Sequence, residues 1–189
     1  AWVDQGVAFA AIGYTLAPKA TLSEIVAECR QAVGWLRDHA DEVGIDPERM
    51  VVAGNSAGAH LAAMVALTDD LASAAVLISG VFDLRPLVGT SIVEALDLDT
   101  ADAHALSPAL ASVDGFPPSL VCWGEIETEE FKEQSRRFAA NLRSKGTTCT
   151  SFEVGARNHF DVIFDLADPD SAIGRGIASL LDGSMSGSS

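Results

Sequence analysis

Apolar residues follow two rhythms in this chain, and the two alternate. From Leu22 to His39 the apolar positions Leu22, Ile25, Val26, Cys29, Val33 and Leu36 recur at the three-to-four spacing of one helix face. Thr21 or Ser23 can cap that helix, and Asp46-Pro47-Glu48 punctuates the approach to the next element. Ala57 to Leu67 is rich in Ala and Leu and predicts a second helix. Thr128 to Lys145, stopped by Gly146, predicts a long amphipathic third, and Ser171 to Leu181 a closing one. Between them lie short apolar runs of strand length: Val7–Tyr14, Met50–Ala53, Ala74–Ser79, Ser119–Trp123 behind the breaker Phe116-Pro117-Pro118, and Thr148–Val154. Uninterrupted apolar strands separated by helices predict an α/β fold, a mainly parallel sheet with helices on both faces. Residues 1–182 form one domain in this reading, and the Gly/Ser-rich stretch Gly183–Ser189 is expected to be a flexible tail.

Composition narrows the function. A chain of 189 residues with 48% hydrophobic content can bury a substantial core. Its formal net charge of −15 argues against nucleic-acid partners and anionic membrane surfaces, and implies poor steering of anionic substrates; the expected partner, from the chemistry below, is a small-molecule ester or amide. A homodimer is compatible with this reading. No apolar run reaches the length of a transmembrane span. Cys29, Cys122 and Cys149 are odd in number and lack metal-ligand spacing, so they read as buried free thiols of a reducing compartment; neither a metal nor a cofactor is expected. The expected location is cytoplasmic. The sequence opens on Ala1-Trp2, not methionine, and shows no signal-peptide pattern.

The chemistry centres on Gly54-Asn55-Ser56-Ala57-Gly58, which joins the Met50–Ala53 strand directly to the Ala57–Leu67 helix. Gly-x-Ser-x-Gly between a strand and a helix predicts a sharp turn with a serine at its apex. The two glycines are expected to admit close backbone approach. Ser56 is therefore the candidate nucleophile. A simple N-capping serine between turn glycines is the bland alternative. A serine hydroxyl needs a base, usually histidine, and the chain has four. His39 ends a helix, where it suits the dipole. His60 is one turn into the helix after Ser56 and should lie along it. His104 falls in an irregular acidic segment. His159 follows the last predicted strand in a loop, after the serine in the chain, which suits the order serine, acid, histidine. For the acid, Glu125, Glu127, Glu129 and Glu130 crowd the end of the Ser119–Trp123 strand. Glu129 and Glu130 suit the following helix's N-terminus, Glu127 stands at the turn, and Glu125 is the alternative.

These residues resemble the α/β-hydrolase fold, and within it the kynurenine formamidase (arylformamidase)-like branch close to hormone-sensitive-lipase-type esterases. The resemblance runs through Tyr14-Thr15-Leu16-Ala17-Pro18, Leu22 to Ile25, Ala32 to Leu36, the elbow with His60-Leu61, Ser79 to Leu84, Ser107-Pro108, Gly124 to Phe131 with Gln134-Ser135, and Asn158-His159-Phe160-Asp161. It implies Ser56, Glu127 and His159 as a catalytic triad, and favours Glu127 over Glu125. It also implies a serine hydrolase acting through an acyl-enzyme on N-formylkynurenine or a similar small aryl formamide, with small carboxylic esters as the alternative. Leu84 to Val113 is the expected cap-like insertion, with Leu87, Val88, Ile92, Val93 and Leu96 as an apolar wall or as ordinary packing.

The chain departs from the family twice. Asn55 stands where many relatives have histidine. The family's His-Gly-Gly segment, which supplies oxyanion-hole N–H groups worth about 3–4 kcal/mol each, is missing. Only the Ala57 N–H is assignable to the oxyanion hole. In the family the strand carrying that segment lies between those matching Val7–Tyr14 and Met50–Ala53. Neighbouring strands sit about 4.8 Å apart, so the gap is too wide for hydrogen bonds. The expectation is a fragment of a longer enzyme, lacking its N-terminal strands. A non-catalytic hydrolase-fold binding module is the reading from a different class.

Overall fold

The computed structural model describes residues 1–91 and 93–183; Ile92 and residues 184–189 of the expected tail lie outside the described residues. Four strands, β1 (Val51–Asn55), β2 (Ala74–Ile78), β3 (Ser119–Ile126) and β4 (Cys149–Asn158), form a sheet in the order β1-β2-β3-β4. Every neighbouring pair is parallel. The helices are α1 (Leu22–Asp38), α2 (Ala40–Val43), α3 (Ala57–Ala66), α4 (Thr100–Ala105), α5 (Glu129–Ser144) and α6 (Ala172–Gly183). Gly183 thus closes α6 and is not part of a tail. Among the described residues no helix is long and apolar enough to cross a membrane.

Local chemistry sets the helix boundaries. Thr21, not Ser23, caps α1 through a reciprocal box: its hydroxyl accepts from the Glu24 N–H at 3.3 Å, and the Glu24 carboxylate accepts from the Thr21 N–H at 2.8 Å. Such a box contributes about 1 kcal/mol. The buried positions of α1 are Leu22, Ile25, Val26, Cys29 and Val33, one stripe at helical spacing.

Alternation along the strands divides the core. Ala75, Leu77 and Val121 project to one face, where Ala59, Ala62, Ala63 and Ala66 of α3 and Phe138, Ala139 and Leu142 of α5 cover them. The alanine face lets α3 sit close on the sheet. Its larger residues Leu61, Met64 and Val65 meet α1 on the outside. Val76, Ile78, Leu120 and Cys122 project to the other face, against Val162 and the α6 residues Ile173 and Ile177. Helices cover both faces, and β2 is buried along its whole length.

The Val7–Tyr14 run is not a strand. Residues 7–16 have no regular secondary structure, and Phe9 and Leu16 are 72% and 67% exposed. An apolar run becomes a strand only when an edge stands within hydrogen-bonding distance, and no ladder joins this segment to β1. Ile12 and Tyr14 pack instead beside the α1 cluster. In the segment expected to form an apolar wall or ordinary packing, Val93 is buried in that same cluster, and Leu87, Val88 and Leu96 lie against it. The expectation for Ile92 lies outside the described residues.

Candidate active site

All four strands point their carboxyl ends the same way, and the titratable residues gather there. β1 ends at Asn55, Ser56 follows with φ 55° and ψ −119°, and α3 starts at Ala57. A serine rarely holds this left-handed conformation, and only a sharp strand-to-helix reversal requires it. The Ser56 N–H donates to Ile78 O at 2.9 Å, which ties the apex to the neighbouring strand. The glycines are not equivalent, contrary to the sequence expectation. A Cβ on Gly54 would stand 2.1 Å from Gly58 O, whereas one on Gly58 would meet nothing within 4 Å. Close approach constrains Gly54; Gly58 contributes the carbonyl that crowds it.

The structure brings Ser56, His159 and Glu127 into one chain of hydrogen bonds. His159 Nε2 lies 3.0 Å from Ser56 Oγ, and His159 Nδ1 lies 2.9 Å from Glu127 Oε2. The buried carboxylate can only accept, so Nδ1 carries the proton and Nε2 is left free to accept from the serine hydroxyl. Glu127 is reached after β3, and its side chain is fully buried. Its other oxygen, Oε1, accepts from Ser79 Oγ at 2.5 Å and from the Gly124 N–H at 2.6 Å. A buried carboxylate without such donors would be too costly to keep ionised. Gly124 is sterically required, because a Cβ there would stand 2.4 Å from Arg157 O and 3.0 Å from Glu127 Oε1.

Short-range bonds hold the histidine loop. Asn158 N–H and Nδ2 donate to the two oxygens of Asp161 at 2.7 and 2.9 Å, and Asn158 Oδ1 accepts from the Phe160 N–H at 2.8 Å. Phe131 of α5 lies against the imidazole at 4.2 Å between centroids, and Phe160 meets it edge-on at 5.6 Å while standing 83% exposed. Asn55 Nδ2 donates to His159 O at 3.4 Å, and Asn55 Oδ1 is buried with no partner among the described residues.

The remaining sequence candidates lie elsewhere. Glu125 accepts from the Ala156 N–H at 2.7 Å and bridges β3 to the irregular part of β4. His39 stacks on Trp35 at the end of α1. His60 is buried, with Nε2 donating to Leu106 O at 2.7 Å, and burial lowers its pKa. His104 is in α4, a short helix rather than an irregular stretch, capped by Asp99. Cys122, beneath the site on β3, has its thiol pushed up by burial and then by the negative charge of Glu127. Sequence reasoning missed the roles of Ser79, Asn158 and Asp161. The available signal was a polar residue at or just past a strand's carboxyl end: Ser79 follows β2, Asn158 ends β4, and Asp161 lies in the loop after it.

Comparison with known proteins identifies the fold family. Residues 3–161 match the model of the alpha/beta hydrolase fold family. The chain is 30% identical to a kynurenine formamidase from Danio rerio over 178 residues, covering 88% of this chain and 59% of that protein. It is 29% identical to the esterase LipQ of Mycobacterium tuberculosis, covering 87% of this chain and 44% of that one. Among solved structures, the thermophilic carboxylesterase EstE1 from a metagenomic library superposes with a TM-score of 0.73 at 27% identity, covering 90% of this chain and 67% of the other. The chain thus spans about three fifths of the formamidase's length.

Proposed function

Because the chain belongs to the alpha/beta hydrolase fold family, we propose that it is the nucleophile-bearing part of a serine hydrolase that cleaves a small aryl formamide or carboxylic ester through an acyl-enzyme. The observation that carries this reading is the unbroken line from Ser56 Oγ through His159 to the buried Glu127 carboxylate. In the proposed cycle, Ser56 Oγ bonds to the substrate carbonyl carbon while its proton passes to His159 Nε2. The imidazolium, held by Glu127, gives that proton to the departing amine or alcohol as the carbon–heteroatom bond breaks. A water then loses a proton to Nε2 and attacks the acyl carbon. The acid is released, and the proton returns to Ser56 Oγ. The Ala57 N–H, at the first position of α3, is the proposed oxyanion donor from this chain.

The formamide reading draws on the relative named kynurenine formamidase, and the ester reading on the relatives named esterase and carboxylesterase. The aromatic groups beside His159 favour a planar leaving group. The imidazole must touch that group to protonate it, and Phe160 is largely exposed there. A fluorophosphonate probe on the complete protein tests the nucleophile: labelling is expected, and Ser56→Ala is expected to abolish it. Labelling that survives Ser56→Ala overturns the assignment of Ser56. Comparing an aryl formamide with p-nitrophenyl acetate decides the substrate class.

A further inference from the structure

β1, β3 and β4 deliver the residues of the proposed triad, and β2 stands between β1 and β3 without contributing a member. Its carboxyl end, Ile78-Ser79, nevertheless touches both sides. Ile78 O accepts from the Ser56 N–H at 2.9 Å, and Ser79 Oγ donates to Glu127 Oε1 at 2.5 Å. Ser79 is fully buried and holds φ +49°, a conformation unusual for any residue but glycine or asparagine. Its N–H donates to Cys122 O at 2.8 Å, which keeps the residue locked to β3 as it turns away from the sheet. The left-handed twist aims a hydroxyl at a carboxylate that water cannot reach. Strain of this kind in a buried residue persists only where the surroundings impose it.

We infer that Ser79 is a positioning residue: its hydroxyl fixes the Glu127 carboxylate and sets how strongly that carboxylate draws the proton on the Glu127–His159 pair. This rests on the triad reading above. The Ser79 O–H takes up part of the negative charge on Oε1, so less of it acts on the imidazole through Oε2. Removing the hydroxyl leaves the buried carboxylate more basic toward His159, and the pair binds its extra proton at a higher pH. The other groups facing the pair stay in place when Ser79 changes. Among the described residues these include the Cys122 thiol from β3, on which Glu127 and Asp165 both act; Asp161 in the histidine loop is held by Asn158, and Asp165 pairs with Arg157. Phe131 from α5 and Asn55 from β1 add no ionisable group.

The test uses Ser79→Ala and Ser79→Gly in the complete protein. Glycine accepts the positive φ without strain, so it separates the hydroxyl from the backbone. Two readouts are taken: the rate of fluorophosphonate labelling against pH, and the NMR titration of the His159 ring, which needs no activity. Both variants are expected to label about tenfold more slowly near neutral pH, the scale of losing one hydrogen bond to a charged group. Reversible binding of the probe stays unchanged. The low-pH limb and the His159 titration both move up by about half a pH unit. Unchanged titration in both variants overturns the inference. So does a glycine variant that behaves like the parent, since that assigns the effect to backbone strain. A parent protein that never labels overturns the hydrolase reading instead, and the His159 titration still decides what Ser79 does.

Discussion

Replacing Glu127 by glutamine keeps the volume and removes the charge, and the structure fixes how the new amide must sit. Oε1 receives two donors, Ser79 Oγ at 2.5 Å and the Gly124 N–H at 2.6 Å. A serine hydroxyl can turn round and donate or accept, but a backbone N–H can only donate. The glutamine oxygen must therefore face Gly124, which places its NH2 where Oε2 now meets His159 Nδ1 at 2.9 Å. Two N–H groups cannot bond to each other, so the imidazole proton moves to Nε2. Nε2 then donates to Ser56 Oγ and cannot take its proton. Loss of the correct tautomer together with the carboxylate charge costs about 4–5.5 kcal/mol of barrier, a factor of about 10³–10⁴ in turnover. The assay is steady-state hydrolysis of p-nitrophenyl acetate by the complete protein, with the denaturation midpoint as a check on the fold. Because no buried charge is left unpaired, the midpoint is expected to change little. Glu127→Gln retaining more than about a tenth of the parent rate would refute the tautomer argument.

Three further outcomes follow from the packing. Gly54→Ala places a Cβ 2.1 Å from Gly58 O and is expected to cost about 3 kcal/mol or more, whereas Gly58→Ala meets open space and should cost less than about 1 kcal/mol; urea midpoints of the pair check this. Phe138 is buried between the stacked ring of Phe82 at 4.2 Å and the edge-on ring of Phe116 at 5.8 Å, so Phe138→Ala should cost about 3–5 kcal/mol in the same assay. Burial lowers the His60 pKa from 6.5, so the unfolded chain binds that proton first as pH falls. His60 therefore supports the fold fully above about pH 6.5, and that support is lost as pH drops from there toward the folded-state pKa. The slope is at most about 1.4 kcal/mol per pH unit. His60→Gln should flatten this part of the stability-against-pH curve; an unchanged curve would contradict the assignment.

How far the sequence reaches depends on whether the deciding contact is local. The α1 stripe, the Thr21 cap and the Gly-x-Ser-x-Gly turn were legible because each is written within a few residues. β3 and β4 run on to Ile126 and Asn158, past the ends that the apolar runs suggest, because they continue to pair across an irregular step at Gly124. That step appears in neither strand's own pattern. The Val7–Tyr14 run shows the opposite failure: its composition suits a strand, but no ladder receives it.

The sequence by itself determined the α/β alternation, the candidate nucleophile Ser56 and the candidates His159 and Glu127, through chain order and strand-end position. Tertiary structure decided which groups touch. It put Glu127 on His159 and Glu125 on the Ala156 N–H, left His60 on Leu106 O, moved the steric demand of the elbow onto Gly54, and set Ser79 against a carboxylate 48 positions away. The physical reason is that a parallel sheet carries distant segments to one edge through backbone hydrogen bonds, which every residue but proline can make. Which strand end faces which is therefore decided by register and burial, not by the residues that meet there.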